Sequence, residues 1–221
     1  MDLNNISNFD YILPEELIAL EPKTPRSSSK LLVYSDNTIL DSKFDRLFQY
    51  LRPNDRLVFN NTKVLRGKLF GTRSRKTNSG LGISKIEILL IDRVSKNEYI
   101  AFCRPLKKLQ IFDQIDISNS LQAKVVSKSD GQCLLCFSKS GSLLDREISK
   151  VGQLPLPPYI IKKRSYRSSD NTDYQSIFAK EIGAIAAPTA SLHFDKALLE
   201  KLEEFGITSS FITLHVGVGT F

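Results

Sequence analysis

His193 and His215 are the only two imidazoles in this sequence, and each lies among residues small enough to admit a ligand. An imidazole titrates near neutrality, so it can take up a proton or release one under ordinary conditions. Read as a strand with period two, residues 211–221 place Ile212, Leu214, Val216 and Val218 on a core face. The opposite face then carries Phe211, Thr213, His215, Gly217 and Gly219. Two glycines beside a histidine leave that side uncovered, so a backbone or a ligand can come close. A sheet edge with a histidine that merely hydrogen-bonds has the same pattern.

His193 lies in Ala186-Ala187-Pro188-Thr189-Ala190-Ser191-Leu192-His193-Phe194, between an expected strand at 184–187 and an expected helix. Loops at the carboxyl ends of parallel strands are where α/β folds place their sites. Thr189 and Ser191 offer hydroxyls there, and the helix N-terminus beyond favours an anionic group such as a carboxylate. Asn60-Asn61-Thr62 follows another expected strand. Its amides and hydroxyl suit a nucleobase or ribose, and equally suit satisfying a turn. Gly217-x-Gly219 is no dinucleotide fingerprint, because the third glycine and the following helix are missing.

The elements that must hold these groups fall into three stretches. Residues 1–67 read as a short helix beginning at Pro14, a hairpin at 30–40, an amphipathic helix from Phe44, Leu47, Phe48 and Leu51, and a buried strand at 56–60. Residues 68–150 change to short strands at 68–70, 85–92, 98–104, 114–117, 122–127 and 132–138. Ser129-Asp130-Gly131 is the hairpin signal between the last two, and the set suggests a small barrel or sandwich inserted into the first domain. Residues 72–82, rich in Ser, Thr, Lys, Arg and Gly, read as a mobile loop. Residues 151–221 return through the stiff Leu154-Pro155-Leu156-Pro157-Pro158 stretch. A polar, exposed loop is expected at 162–173. Asp195 is a natural N-cap for a helix bearing Leu198, Leu199, Leu202 and Phe205, which Gly206 closes, and a strand follows at 207–218. Strand–helix–strand at this spacing implies a parallel sheet with helices on its faces, hence an α/β fold.

The chain has 221 residues and a net charge of +7. That excess is local: residues 65–153 hold 16 basic and 8 acidic side chains, while the flanks nearly balance. A surplus confined to one segment is the footprint of a phosphate-bearing partner, or else a solvated basic face. No apolar run, Ile88 to Ile91 among them, comes near the ~18 residues of a membrane span. Met1-Asp2-Leu3-Asn4-Asn5 has no basic flank or apolar core, so a secretory signal is not expected. Cys133 and Cys136 lie three apart on an expected strand and point to opposite faces, which suits neither one metal nor one disulfide. Buried thiols in a reducing cytoplasm are the expectation.

Taken in order, several stretches resemble the S-adenosylmethionine:tRNA ribosyltransferase-isomerase family of queuosine biosynthesis. They are Phe9-Asp10-Tyr11-Ile12-Leu13-Pro14, Leu57-Val58-Phe59-Asn60-Asn61-Thr62-Lys63-Val64, Leu154-Pro155-Leu156-Pro157-Pro158-Tyr159-Ile160, Tyr174-Gln175, Gly183 through Phe194, and Thr213-Leu214-His215-Val216-Gly217-Val218-Gly219-Thr220-Phe221. The resemblance implies a monomeric cytoplasmic enzyme with a barrel-like α/β domain and a small β-barrel insertion. It implies S-adenosylmethionine as ribosyl donor, 7-aminomethyl-7-deazaguanine at the tRNA wobble position as acceptor, and no metal. The products would be epoxyqueuosine-tRNA, adenine and methionine. His193 and His215 become the expected proton-transfer groups. Asn60, Asn61, Thr62, Thr189, Ser191, Thr213, Gly217 and Gly219 become the expected substrate contacts.

Two departures bear on the site. Relatives usually have glycine where this chain has Ser191, and a Cβ there closes off positive φ. Where relatives commonly read Arg-Val-Ile-Pro-Ala-Arg, this chain has Lys63-Val64-Leu65-Arg66-Gly67-Lys68, with lysine for arginine at both ends. Family members also continue beyond the motif at 213–221. The expectation is therefore an α/β domain lacking its last part, exposed apolar surface and self-association. The competing outcome is a remnant that is inactive or keeps only tRNA binding.

Overall fold

The structure, a computed structural model, describes residues 4–77 and 80–220. The first hairpin pairs β1 (Lys30–Ser35) with β2 (Thr38–Lys43), antiparallel, around Asp36 and Asn37 at φ 49° and 60°. Both residues tolerate the left-handed region that a two-residue hairpin turn demands. Phe44–Tyr50 follows as a 3-10 helix rather than the expected α-helix. Seven residues without a side-chain N-cap give little reason to complete an α-helical ladder, and one face of the short turn suffices to half-bury Phe44, Leu47 and Phe48. The short helix expected from Pro14 is likewise a single 3-10 turn, Glu15–Leu17.

β3 (Arg56–Asn60) and β4 (Thr62–Val64) run nearly end to end, broken at Asn61. The strand expected to be buried is buried on one face only: Phe59 is in the core while Val58 is exposed.

The chain then enters a closed six-stranded barrel. Its strands are β5 (Lys68–Thr77), β6 (Gly80–Arg93), β7 (Glu98–Arg104), β8 (Gln114–Ser118), β9 (Leu121–Ser129) and β10 (Gln132–Phe137), in the order β10-β7-β6-β5-β8-β9. The expected β insertion is thus a barrel. The expected mobile loop at 72–82 is instead ladder: β5 and β6 stay paired from Thr72↔Lys85 out to Thr77↔Gly80, with residues 78 and 79 outside the described part. Polar composition misled here, because a two-stranded arm needs only backbone partners and tolerates polar side chains on both faces. Asp130 and Gly131, at φ 50° and 79°, make the expected hairpin between β9 and β10.

α1 (Gly141–Val151) has no counterpart in the sequence reading. It buries Leu144 and Ile148 completely in the barrel core, roughly 1.5–3 kcal/mol each by area. All three cysteines are free, as expected. Cys133 is buried, Cys136 is half-buried, and a hydrogen bond to Cys133 together with burial pushes the Cys103 thiol up. The junction back to the α/β part is tight. Lys68 and Gln153 exchange two backbone hydrogen bonds of 3.1 and 2.9 Å, and a Cβ on Gly152 would lie 1.9 Å from the Arg66 carbonyl oxygen.

The return segment contains α2 (Pro158–Ile161), α3 (Asp170–Asp173), β11 (Glu181–Ala184), α4 (Lys196–Glu204) and β12 (Thr208–Ile212). The Asp195 carboxylate accepts the Leu198 N–H at 3.0 Å, and Gly206 closes α4 at φ 87°, as expected. β11 pairs with β4 and β12 with β3, both parallel. The parallel pairing is as expected, but β11 and β12 are not neighbours in one ladder. Among the described residues the α/β part therefore consists of two two-stranded parallel ladders and does not close into a barrel-like wheel. α4 covers one side of the β3–β12 ladder through Leu198 and Leu202, with Phe59 stacked on Phe178 at 4.0 Å.

The expected strand at 207–218 ends at Ile212, and its face assignment fails there in part. Ile212 and Leu214, assigned to the core, are 45% and 60% exposed, while Phe211 approaches Phe59 and Phe178. Past Ile212 the side chains of Asn60 and Asn61 replace the ladder, yet Val216 and Val218 are half-buried and His215, Gly217 and Gly219 exposed, as the alternation had it.

Candidate functional site

The carboxyl ends of β3 and β12 meet at the Asn60-Asn61-Thr62 turn. Asn60 Oδ1 accepts the N–H groups of Thr62 and Leu214, both at 3.1 Å, and its Nδ2 donates to the Leu214 carbonyl at 2.8 Å. Asn61 Oδ1 accepts the Thr213 hydroxyl at 2.7 Å. These amides are engaged in fastening residues 213–214 onto the end of β3. The result is a fixed platform for His215.

His215 Nδ1 lies 2.7 Å from Oγ1 of the fully buried Thr62, whose hydroxyl also reaches the Glu181 carbonyl at 3.5 Å. The imidazole packs against Gly183: a Cβ there would sit 2.6–2.8 Å from three ring atoms. The expected open side is present too, since a Cβ on Gly217 or Gly219 would meet no described atom within 4 Å. Gly183→Ala is accordingly expected to expel the ring and break the Thr62 bond while the fold persists. Loss of the His215 imidazole resonances' native shifts, with an unchanged far-UV spectrum, checks it.

His193 sits elsewhere, at the end of the 3-10 helix Thr189–His193 where a loop was expected. Its Nδ1 is 3.0 Å from the Ser29 hydroxyl, and its ring lies 5.2 Å from Phe44. With Thr189 it lines a cavity of about 300 Å³ walled by Leu156, Tyr159, Tyr174, Arg26, Arg164 and Asp173, among others, and bordered by residues 19–23. Ser191 is buried in the same 3-10 turn, and its place there needs no positive φ, so the backbone does not call for glycine.

His215, Asn60, Asn61 and Thr213 do not line this cavity. The neighbours of the two imidazoles, Leu192 and Val216, pack against one buried cluster that includes Val64, Leu154, Tyr174 and Ala184. Ile185 N–H donates to the Val216 carbonyl at 2.8 Å and holds the two segments together.

The cavity wall depends on charges that the sequence reading placed in an exposed loop at 162–173. Arg164 grips Asp170 with two hydrogen bonds of 2.9 and 2.7 Å, and their side chains are 11% and 2% exposed. Arg164 Nε donates to the Leu20 carbonyl at 3.1 Å and so anchors the N-terminal border. Ion pairs Lys163–Glu15 and Arg167–Glu21 reinforce it on the surface. Arg26 donates to the Gln175 and Thr172 carbonyls at 2.8 and 2.7 Å. Gln175 in turn bonds both backbone groups of Val64, at 3.0 and 2.8 Å, and acts as one more rung on β4. Burial pushes the Tyr174 hydroxyl up, against a backbone hydrogen bond at Ala187. The Asp195 carboxyl, which burial alone would raise, is held below its usual value by Ser27 and the Leu198 N–H. No sequence signal marked Arg164 and Asp170 as partners, because a spacing of six fits no regular element.

Among the described residues no group of three or more His, Cys, Asp or Glu side chains could hold a metal ion, and no helix is long and apolar enough to cross a membrane.

Parallel strand pairs joined through helices, together with a closed β-barrel, define an α/β protein, in which one histidine lines a cavity and the other stands at the ends of β3 and β12. The model of the queuosine biosynthesis protein family matches residues 6–221, and the chain belongs to that family. Similar curated proteins include the S-adenosylmethionine:tRNA ribosyltransferase-isomerases of Ruegeria sp. (strain TM1040), 44% identical over 98% of this chain and 62% of the relative. That of Parvibaculum lavamentivorans is 47% identical over 98% of this chain and 61% of the relative. The chain thus spans about three fifths of the length of these relatives. A crystal structure of S-adenosylmethionine tRNA ribosyltransferase from Thermotoga maritima is 30% identical, covering 94% of this chain and 58% of that one, with a TM-score of 0.36.

Proposed function

We propose that this chain carries out the ribosyl transfer and isomerisation that its relatives are named for. S-adenosylmethionine would be the donor, and a wobble 7-aminomethyl-7-deazaguanine in tRNA the acceptor. The observation that carries this reading is His193, whose Nδ1 is tied to Ser29 while its ring lines a cavity of about 300 Å³ beside Tyr159 and Tyr174. That volume is at the lower end for a cofactor-sized ligand, and aromatic walls suit a purine.

The chemistry asks for a base and an acid. The sulfonium acidifies the adjacent 5′ carbon, a base removes a proton there, and the electron pair expels adenine, which takes up a proton as it leaves. The aminomethyl nitrogen then adds to the ribosyl unit and gives up a proton, and rearrangement to the epoxide expels methionine as the neutral thioether. At His215 the Thr62 hydroxyl selects the role. With its hydrogen on the Glu181 carbonyl, Nδ1–H donates to Oγ1 and Nε2 is a free base. Once Nε2 has taken up a proton, the imidazolium still donates Nδ1–H to Oγ1 and its Nε2–H is an acid. The basic barrel supplies cations for the tRNA backbone.

The test is adenine release from S-adenosylmethionine with tRNA that already carries the aminomethyl-deazaguanine, beside a full-length relative as control. Release that depends on the modified tRNA is expected. No release beside an active control would overturn the assignment to this chain, and salt-dependent tRNA binding by the same sample would then leave it a binding protein.

A further inference from the structure

Besides Phe70 on β5, the barrel carries an exposed aromatic ring, Phe112, that the proposed chemistry does not use. Phe112 lies between the 3-10 turn Leu106–Lys108 and β8, is 71% exposed, and has φ 73°. Exposed apolar residues are ordinary, but a bulky side chain held in the left-handed region is not, and such a conformation persists only where its surroundings enforce it. Here they do. Phe112 N–H donates to the Val125 carbonyl at 2.8 Å, and Val125 N–H donates to the Asp113 carbonyl at 2.9 Å. The Asp113 carboxylate accepts the Gln110 N–H at 2.7 Å and Arg75 at 2.5 Å, with Arg73 Nε at 3.7 Å. Arg73, buried, also donates to the Lys108 carbonyl. The loop is therefore clamped at its base while its ring points away from the core.

Cations adjoin it. Lys124 Nζ stands over the ring, 5.0 Å from its centroid, and Lys107 and Lys108 are exposed on the preceding turn. A rigid, exposed ring within a basic surface matches what unpaired nucleotides need: a π-face for the base and cations for the phosphates.

We propose that Phe112 is a stacking platform for an unpaired base of a bound RNA, with Lys124 and the lysines of the adjoining turn taking the flanking phosphates. This rests on the reading of the basic barrel as the tRNA-binding surface and adds where, and in which conformation, the RNA is held. A duplex cannot use the site, because its bases are already stacked.

The chain has no tryptophan, so Phe112→Trp places its single tryptophan, excited selectively at about 295 nm to spare tyrosine, at the proposed contact. Titration with an anticodon stem-loop RNA is expected to quench its emission to saturation, and a blunt duplex RNA to leave it unchanged. Phe112→Ala should weaken stem-loop binding by about 5- to 150-fold with the same salt slope, as expected for one lost base stack. Lys124→Gln should weaken it and lower the slope by about one. Stem-loop binding by the parent that Phe112→Ala leaves intact, or emission unmoved at saturation, overturns this proposal and spares the barrel reading. A parent that binds no RNA overturns both. Phe112→Gly should unfold at or above the parent's temperature, and marked destabilisation would make the ring part of the fold and overturn the proposal as well.

Discussion

Asp170→Ala is expected to cost about 3–5 kcal/mol of stability, a large share of the roughly 5–15 kcal/mol available to a domain. The cost comes from what remains. Asp170 accepts two hydrogen bonds from Arg164 and the Arg167 N–H at 2.7 Å, and both side chains of the pair are nearly excluded from solvent. Removing the carboxylate leaves a guanidinium buried without its counter-charge. Chemical denaturation of parent and variant measures the difference, and a loss under about 1 kcal/mol would mean that the pair is solvated. Asp170→Asn, which keeps the shape and loses the charge, should fall between them. The pH dependence separates charge from packing. Hydrogen bonding to Arg164, above all, holds the Asp170 carboxyl below its usual value. A carboxyl so depressed contributes stability fully present above its unfolded value of about 3.9 and lost as pH falls through the folded one. The advantage of the parent over Asp170→Asn should accordingly shrink below about pH 4 and be constant from pH 5 upward. Because Arg164 also holds the Leu20 carbonyl, the same substitution should loosen the N-terminal border of the cavity before the barrel melts.

That pair was illegible in the sequence for the reason that makes it important. Hydrophobic period and turn residues report local structure, and they located the barrel strands, the Asp130-Gly131 hairpin and the Asp195 cap, because each depends on near neighbours. Arg164 and Asp170 are polar residues in a segment without period, and only the tertiary fold buries them. α1 was missed although Leu144, Ile148 and Val151 have helical spacing, since it follows directly on the barrel strands and runs into the proline-rich stretch at 154–158. The 72–82 arm read as a loop because polar residues carry no apolar signal when the ladder is all backbone. At 213–218 the error was extrapolation: a strand pattern was continued past Ile212, where the Asn60 and Asn61 side chains end the ladder. The histidines and the Asn60-Asn61-Thr62 turn were visible as chemistry and as a family resemblance. That His193 faces a cavity while His215 sits on Thr62 and Gly183 required the structure.

That separation makes the histidine substitutions informative. In an active parent, His193→Ala and His215→Ala should each lower turnover in adenine release by about 10²- to 10⁴-fold, the range for loss of a positioned acid or base. They should differ in binding. His193 lines the cavity, so its loss should also raise the S-adenosylmethionine KM, whereas His215 lies outside it and its loss should fall on kcat alone. Thr62→Val tests the platform: it keeps the volume of a fully buried side chain and removes the bond of 2.7 Å to Nδ1. If that hydroxyl fixes the ring and its tautomer, kcat should drop by about tenfold or more while the fold stays intact. Ser29→Ala should do the same at His193. Turnover unchanged in both histidine variants would remove them from the mechanism. Loss at His193 alone would confine proton transfer to the cavity and leave His215 as the residue that closes the ends of β3 and β12.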